Sequence, residues 1–299
     1  MPNPARGPVG ALRRGYRFGR KQFRRVRNHL LLLTTKALNR VSRRSVTGSG
    51  PVIVSLTTFG ERAAISGYAI ESIARGAVRP SRLILWLDDR SILNDPPAPL
   101  RRLVARGLEL RATPDYGPHK KYYPAVKESI AGDLPLVTAD DDTLYPRQWL
   151  AKLLKAYADH PDEVACHRAW VVRVEDGGIT PYDTWPNCRS SQASPANFAT
   201  GVSGVLYPPR MQAALAELGT GFVEVAPRTD DIWLHRAALR SGIPIRQVSS
   251  RPVHFPTIPG THESSLMREN VGGSGNDAAI RRAYDARDIR TLESALTRP

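Results

Sequence analysis

Residues 134–142 read LPLVTADDD, a short apolar run that stops at three consecutive aspartates. A run of this length between polar residues is typical of a buried β-strand, here over 134–138. In open sheets of alternating strands and helices, ligands bind beyond the carboxyl ends of the strands. The stretch therefore predicts a strand of a parallel sheet, with a candidate ligand site at Asp140, Asp141 and Asp142.

The sequence on the amino-terminal side of this stretch alternates between short apolar runs and helical patterns. Such alternation predicts an α/β fold with a mainly parallel central sheet and right-handed crossovers. Because each predicted strand ends at polar residues, several polar groups should converge on one edge of the sheet. The predicted strands cover 52–56, 83–87 and 108–112, and the predicted helices cover 64–75, 100–106 and 122–130.

Three adjacent carboxylates repel one another, and a divalent cation would offset that repulsion. Oxygen ligands suit Mg²⁺ or Mn²⁺, which also bridge phosphate oxygens. Asp140 and Asp142 are two residues apart, so their side chains can point to the same side of an extended chain. A solvated acidic turn is the alternative. The position after a buried strand, and before Tyr145-Pro146 and a helix, favours the metal site.

The net charge of +15 is concentrated at the start of the sequence. Residues 1–50 contain 13 Lys and Arg residues and no Asp or Glu, whereas the remainder is close to neutral. This distribution argues against nucleic acid as the partner of the main domain. We expect a basic amphipathic segment and linker over 1–50, one α/β domain over 51–285 and a C-terminal tail over 286–299.

Apolar residues recur through the basic segment at helical spacing. An apolar stripe within a basic helix suits an anionic membrane surface, whereas a solvated tail and a cleaved targeting peptide are the alternatives. No apolar run approaches the ~20 residues needed to span a bilayer, and the two cysteines lack metal-type spacing. The sequence thus predicts a cytoplasmic protein, peripheral on the inner face of the cell membrane. The stripe comprises Tyr16, Phe23, Val26, Leu30, Leu33, Ala37 and Val41.

Six motifs follow one another in the main domain: VSLTT at 54–58, LILWLD at 83–88, GPHKKYYPA at 117–125, TADDD at 138–142, TGVSGVLYPP at 200–209 and TDDIWL at 229–234. In this order and spacing, the chain resembles a GT-A fold glycosyltransferase, close to the bacterial family 2-like enzymes. The resemblance covers roughly residues 51–280 and excludes the basic N-terminus. It implies a nucleotide-diphospho-sugar transferase fold and a hexosyltransferase-type enzyme. Its donor would be a nucleotide sugar, with a UDP-sugar favoured, and its acceptor a saccharide or a lipid-linked molecule of polysaccharide biosynthesis.

The same resemblance implies a donor pocket at the ends of the first strands. Thr57 and Asp88 would line the nucleotide pocket, with Asp88 near the base. Lys120 or Lys121 would lie near the nucleotide, where a lysine can neutralise phosphate charge. A surface lysine is the alternative reading of either position.

For the acidic triplet, the resemblance implies contact with the donor and the metal. Asp140 would face the ribose and the metal, Asp141 would belong to the same donor site, and Asp142 would ligate Mn²⁺ or Mg²⁺. A late histidine often completes such a site, and His254 is the first candidate, with His262 the second. An ordinary buried or surface histidine is the alternative.

On the acceptor side, the resemblance implies a general base in the pair Asp230-Asp231. Asp231 would take the proton from the acceptor hydroxyl in an inverting transfer. The alternative is an N-cap of the helix predicted to start there, since aspartate favours that position. Many relatives have Glu-Asp where this chain has Asp-Asp.

Other residues of the second half are weaker candidates. Gly201 and Gly204 form either a loop near the donor sugar or an ordinary turn. Trp185 is the better candidate for stacking on an acceptor sugar, and Trp170 is expected in the core. The glycine-rich stretch 270–277 is expected as a loop that closes over substrate.

Two other function classes fit parts of the sequence. A sugar-phosphate nucleotidyltransferase would need a glycine-rich, basic loop after the first strand, which residues 57–62 do not supply. A non-catalytic polyanion-binding protein would act through residues 1–48 alone. Nucleotide binding by the main domain separates the enzyme hypotheses from this last one.

Overall fold

The computed structural model of the protein describes residues 8–259 and 275–297. Its strands are β1 (Gly50–Thr57), β2 (Pro80–Leu87), β3 (Leu108–Ala112), β4 (Leu136–Thr138), β5 (Val164–Cys166), β6 (Ala169–Val171), β7 (Val174–Glu175), β8 (Gly178–Ile179), β9 (Asn197–Ala199), β10 (Val205–Tyr207) and β11 (Ile245–Gln247). Its helices are α1 (Pro8–Val41), α2 (Ala63–Ala74), α3 (Arg90–Asn94), α4 (Ala98–Val104), α5 (Tyr123–Lys127), α6 (Trp149–Asp159), α7 (Pro209–Leu218), α8 (Phe222–Val225), α9 (Asp230–Arg240), α10 (Gly275–Ala283) and α11 (Ala286–Thr297).

Seven of these strands form one central sheet in the order β11-β5-β10-β4-β1-β2-β3. Strands β4, β1, β2 and β3 are parallel neighbours, and β11 is parallel to β5. Strand β10 runs antiparallel to both β4 and β5. The prediction of an α/β fold with a mainly parallel central sheet is therefore confirmed.

Both faces of the sheet are covered at β1. Successive residues of a strand point to opposite sides, and the consecutive residues 52–56 are all buried. On β1, the buried residues Val52, Val54 and Leu56 pack in a core that includes residues of α2, α4 and α6. Ile53 lies in the core on the other face, together with residues of α5, α7 and α9. Burial of both faces leaves the strand ends as the place where polar groups meet a ligand.

Two elements near the acidic triplet are shorter than the sequence pattern predicts. The helix predicted over 122–130 is reduced to α5, and Ser129, just beyond it, has a left-handed φ of 48° that a helix cannot contain. The strand predicted over 134–138 is reduced to β4, since Pro135 has no N–H to donate to a neighbouring strand. The three aspartates still follow directly after β4, as the sequence predicts.

Helix α1 packs against α2 and α4 along one face. Leu32, Thr35 and Asn39 on that face are buried. Asn39 accepts a hydrogen bond from Nε of Arg102 at 3.0 Å and donates one to the carbonyl of Pro99 at 3.2 Å. The C-terminal half of the basic helix is therefore attached to the domain.

The residues predicted as a linker, 47–50, are also packed against the domain. Val46 just before them is buried, and the amides of Gly48 and Gly50 donate to the carbonyls of Pro80 and Arg79 at 2.8 and 3.0 Å. A Cβ at Gly50 would lie 2.5 Å from the Arg79 oxygen, so this close approach requires glycine. These contacts extend the pairing of β1 with β2 into the segment before β1.

The C-terminal residues predicted as a tail instead form α11, which packs against α9. Leu292 is buried, and Asp288 pairs with Arg240 of α9 at 2.7 Å. The predicted loop over 270–277 lies largely outside the described residues, as does His262, while Gly275–Asp277 begin α10. Among the helices described, none is both long and apolar enough to cross a bilayer.

Candidate functional site

The carboxyl ends of β1 and β4 are joined by hydrogen bonds around Asp141. This carboxylate is buried and accepts a hydrogen bond from Oγ1 of Thr58 at 2.6 Å. Nε of Arg62 donates to the same oxygen at 3.1 Å, and Nη2 of Arg62 pairs with the other oxygen. Burial raises the pKa of Asp141 to about 6, although Arg62 and Thr58 act in the opposite direction. Both oxygens of Asp141 are thus engaged by the protein itself.

Asp140 and Asp142, on either side of it, are more open. The side chain of Asp140 is 24% exposed and that of Asp142 is 16% exposed, against 7% for Asp141. Asp142 pairs with Nη2 of Arg62 at 2.9 Å, and Asp140 lies 3.4 Å from Nζ of Lys121. Burial raises the pKa of Asp140, as do the charges of Asp142 and Asp230, while Lys121 lowers it. The two outer carboxylates therefore face the sheet edge with a cation beside each.

Lys121 links this triplet to the first turn of α9. Its buried Nζ lies 2.8 Å from Oδ2 of Asp230 as well as 3.4 Å from Oδ1 of Asp140. Burial disfavours the ammonium charge, but Asp230, Asp140 and Asp231 outweigh it and hold the pKa of Lys121 well above its usual value. A permanently charged lysine thus lies between two groups of carboxylates.

Asp231 is held by a backbone amide rather than by a cation. Its Oδ1 accepts a hydrogen bond from the N–H of Gly201 at 3.0 Å. A Cβ at Gly201 would lie 2.7 Å from Nζ of Lys121 and 3.1 Å from Oδ1 of Asp231, so a larger residue there would displace these side chains. Burial raises the pKa of Asp231 to about 7, as does the charge of Asp230, while Lys121 lowers it.

Helix α9 begins beside this pair without using it as a cap. Its N-cap position is Thr229, whose side chain makes no capping hydrogen bond. Asp230 and Asp231 occupy the first helical turn, where the partial positive charge of the helix end stabilises carboxylates. Asp230 pairs instead with Lys121, and Asp231 accepts a hydrogen bond from the amide of Gly201.

A second cluster follows β2, around Lys120. Its buried Nζ lies 2.6 Å from Oδ2 of Asp88 and 3.1 Å from Oδ1 of Asp115. Thr57, at the end of β1, donates a hydrogen bond from Oγ1 to the carbonyl of Trp86 at 3.1 Å. Lys120 is therefore a buried, paired residue and not a surface lysine, and it joins Asp88 to the loop after β3.

His254 is exposed, on a segment that runs beside the acidic triplet. In this segment the amide of Ile258 donates to the carbonyl of Asp142 at 2.7 Å, and the carbonyl of Pro256 accepts from the amide of Leu144 at 2.8 Å. Of the sequence-predicted residues, Asp88 and Lys120 form one cluster, and Lys121, Asp140 and the Asp230-Asp231 pair form another. Among the described residues, His254 does not join Asp140 and Asp142 in a group that could hold a metal.

The donor chemistry of the triplet fits a magnesium or manganese ion. Within the described chain, no three His, Cys, Asp or Glu side chains are grouped closely enough to hold a metal by themselves. Mg²⁺ is commonly held by one or two carboxylates together with substrate phosphates. Asp140 and Asp142 fit that mode, because each is partly exposed and offers oxygen ligands, whereas Asp141 is already saturated by Thr58 and Arg62.

Sequence reasoning missed Arg62, which pairs with Asp141 and Asp142 from the loop after β1. Its position at a strand end was visible in the sequence, but its partner 79 residues away was not. The two tryptophans also differ from expectation. Trp185 is buried against Phe198, whereas Trp170 is partly exposed with the Arg168 guanidinium 4.8 Å above its ring.

No protein-family model matches the chain, and no curated protein is similar to it. Solved structures do match. The mannosyltransferase PcManGT from Pyrobaculum calidifontis, in complex with GDP-Man and Mn²⁺, has a TM-score of 0.50 at 17% identity, over 90% of this chain and 81% of that one. TarS 1–349 from S. aureus in complex with UDP has a TM-score of 0.47 at 15% identity, over 83% of this chain and 71% of that one.

A nucleotidyltransferase also matches. The CMP:2-keto-3-deoxy-manno-octonic acid synthetase complexed with CTP has a TM-score of 0.41 at 13% identity, over 75% of this chain and 99% of that one. At such identities the likeness concerns the fold. Together with the sheet described above, the match to the mannosyltransferase shows a GT-A-like fold.

Proposed function

We propose that the protein is a glycosyltransferase of the hexosyltransferase type, similar to the bacterial family 2-like enzymes. It transfers a sugar from a nucleotide-sugar donor to a saccharide or lipid-linked acceptor, with inversion at the anomeric carbon. The single observation that carries the proposal is the position of Lys121 between Asp140 and Asp230. That contact brings a donor-side carboxylate and an acceptor-side carboxylate pair into one site.

The donor nucleotide lies, in this proposal, along the ends of β1, β2 and β4. Thr57, Asp88 and Lys120 line the nucleotide pocket, and the buried pairing of Lys120 with Asp88 keeps that wall in place. Asp140 and Asp142 would hold Mn²⁺ or Mg²⁺ together with the donor phosphates. When bound, such an ion stabilises the negative charge that grows on the departing diphosphate.

Asp231 is the general base in the proposed mechanism. Its carboxylate accepts the proton of the acceptor hydroxyl as that oxygen attacks the anomeric carbon and the bond to the nucleoside diphosphate breaks. The hydrogen bond from the Gly201 amide fixes the carboxyl group, and the raised pKa of about 7 makes it a better proton acceptor than an ordinary aspartate. Lys121 keeps positive charge beside this group throughout.

The acceptor lies, in the proposal, on the open side of Asp231. Arg168 and Trp170 of the β5–β6 region support this placement, since Trp170 is partly exposed and stacked under Arg168. The field of Asp231 also reaches the Arg168 guanidinium, whose pKa burial lowers and Asp231 raises. An aromatic face beside a cation is a suitable surface for a sugar ring.

The proposal is tested by incubating the protein with Mn²⁺ and a panel of UDP-sugars and GDP-mannose, with saccharide and lipid-linked acceptors. We expect a nucleoside diphosphate and a glycoside whose anomeric configuration, read by NMR, is opposite to that of the donor. Retained configuration would overturn the role of Asp231 as base.

The identity of the released group separates this proposal from a nucleotidyltransferase. Glycosyl transfer releases a nucleoside diphosphate, whereas nucleotidyl transfer to a sugar phosphate releases pyrophosphate. Residues 57–62 after β1 contain one glycine, Gly60, and one basic residue, Arg62, which is engaged by Asp141. We therefore expect no pyrophosphate when nucleoside triphosphates and sugar phosphates are supplied.

A further inference from the structure

Helix α1 has a second apolar face that points away from the domain. Half of the exposed large apolar side chains in the described chain lie on this helix, each between 48% and 72% exposed: Phe23, Val26, Leu30, Leu33 and Val41. Their spacing of three, four or eight residues keeps them on one side of the helix. We call these five residues the outer stripe.

The outer stripe differs from the face of α1 that packs on the domain. Leu32, Thr35 and Asn39 are buried on the face of α1 that packs against α2 and α4. At about 100° of rotation per residue, this face is on the opposite side of the helix from the outer stripe. The outer stripe does not stabilise the fold of the domain, because its apolar side chains are exposed to solvent. Burial of these side chains requires a partner outside the domain.

The charge around the outer stripe is uniformly positive. Arg25, Arg27 and Arg40 are exposed and form no ion pair with any described residue, and residues 1–60 contain no Asp or Glu. Lys36 extends over the ring of Tyr68, with Nζ 5.4 Å from its centre. Basic side chains that flank an apolar stripe on a helix are the complement of an anionic bilayer surface.

We propose that the outer stripe of α1 is a docking surface for an anionic lipid bilayer, on which the helix lies parallel to the membrane plane. From Phe23 to Val41 the stripe is about 27 Å long, at ~1.5 Å per residue. Nucleic acid would use the arginines alone and leave the leucines and valines in water. A bilayer accommodates both, because acyl chains receive the apolar residues and headgroups receive the cations.

The docked helix also fixes the catalytic edge relative to the membrane. Leu32 belongs to a small apolar cluster with Ala69, Leu144 and Ile258. The amide of Ile258 donates to the carbonyl of Asp142 at 2.7 Å, so the inner face of α1 and the acidic triplet share a support. This consequence rests on the proposed function, whereas bilayer binding by the outer stripe does not.

The proposal is tested by sedimentation of the full chain with vesicles of phosphatidylcholine containing about one third phosphatidylglycerol, and with phosphatidylcholine alone. We expect binding to the anionic vesicles and at least about tenfold weaker binding to the neutral ones. In Phe23→Ser/Leu30→Ser, which leaves the charge unchanged, binding to the anionic vesicles should fall about tenfold or more.

The matched control is Val223→Ser/Leu296→Ser, because these side chains are also apolar and exposed but lie outside α1. It should bind vesicles like the wild type, and thermal melting should be the same in all three proteins. Wild type that stays in solution with anionic vesicles would overturn the proposal. Equal vesicle binding by the wild type and the stripe variant would also overturn it, as would tighter binding of the wild type to a DNA duplex than to vesicles. A third contrary result is a wild-type dimer that becomes monomeric in the stripe variant, with no vesicle binding by either protein. None of these experiments measures sugar transfer, so a failure of membrane binding and a failure of the proposed function can be distinguished.

Discussion

In the proposed function the site has a donor end and an acceptor end, and the carboxylates at the two ends have different partners. At the donor end, Asp140, Asp141 and Asp142 each lie beside a cation, either Arg62 or Lys121. At the acceptor end, Asp231 makes no ion pair with a described residue and is held by the N–H of Gly201.

A neighbouring cation lowers the pKa of a carboxylate, whereas burial raises it. Burial raises the pKa of both groups, to about 7 for Asp231 and to about 6 for Asp141, whose pKa is held down by its pairing with Arg62. In the proposed function, this difference assigns the organisation of negative charge to the donor end and the acceptance of a proton to Asp231.

The largest effect is expected from neutralising the proposed base, Asp231. Asp231→Asn keeps the shape of the side chain but removes the base, so transfer should fall by about 100- to 10,000-fold while nucleotide binding is retained. Product formation and nucleotide titration measure the two effects separately. Asp133→Asn is the control and should transfer like the wild type, because this exposed carboxylate belongs to neither cluster of the site. Full activity in Asp231→Asn would remove the proposed base.

A second test removes the cation between the two ends. Lys121→Met leaves the buried carboxylate of Asp230 and the partly exposed carboxylate of Asp140 without their shared partner. Breaking a buried ion pair on one side costs about 3–5 kcal/mol, so the free energy of unfolding should fall by that amount. Urea unfolding measures it, with the exposed Lys127→Met as control. Equal stability of the two variants would mean that Lys121 does not link the ends.

The pH dependence of transfer tests whether Asp231 titrates as the proposed base. The raised pKa of Asp231, about 7, means that the carboxyl is protonated below that pH and cannot accept a proton. We expect kcat/KM to fall about tenfold per pH unit below pH 7 and to level off above it. The measurement is a rate profile from about pH 5 to about pH 9. A flat profile for the wild type would exclude a titrating base at the acceptor end.

The smallest expected effect comes from Gly201. In Gly201→Ala, the new Cβ would press on Lys121 and Asp231, and both side chains would have to shift. We expect a several-fold loss of transfer with nucleotide affinity preserved, since small displacements of a catalytic group are costly. Gly178→Ala is a suitable control, because a Cβ there meets its nearest neighbour at 3.8 Å. Loss of nucleotide affinity rather than turnover would place Gly201 at the donor end.

The sequence predicted the fold and the edge of the sheet because both depend on local patterns. Apolar runs that end at polar residues located β1 to β4 and placed Asp88 and the triplet at strand ends. The pairing of side chains across the site depends on tertiary contacts. Arg62 with Asp141, and Lys121 with Asp230, join residues far apart in sequence, and no local pattern specifies them.

Burial of single side chains was also beyond the sequence. Trp185 is in the core and Trp170 is partly exposed, the reverse of the expectation, because a tryptophan's surroundings are decided by the elements that pack on it. The same holds for α1. Its apolar stripe was readable from spacing, but only the packing of Leu32 and Asn39 reveals that the stripe faces outward.

In the proposed function, the triplet after β4 binds the diphosphate of a nucleotide sugar through a divalent ion. Calorimetric titration of UDP and GDP into the protein, with and without Mn²⁺ and repeated on Asp142→Ala, measures this binding. We predict binding that requires Mn²⁺ and weakens by about 10- to 100-fold in the variant, the equivalent of one lost charge-assisted contact. Absence of binding by both nucleotides with Mn²⁺, or equal affinity in Asp142→Ala, would contradict the claim.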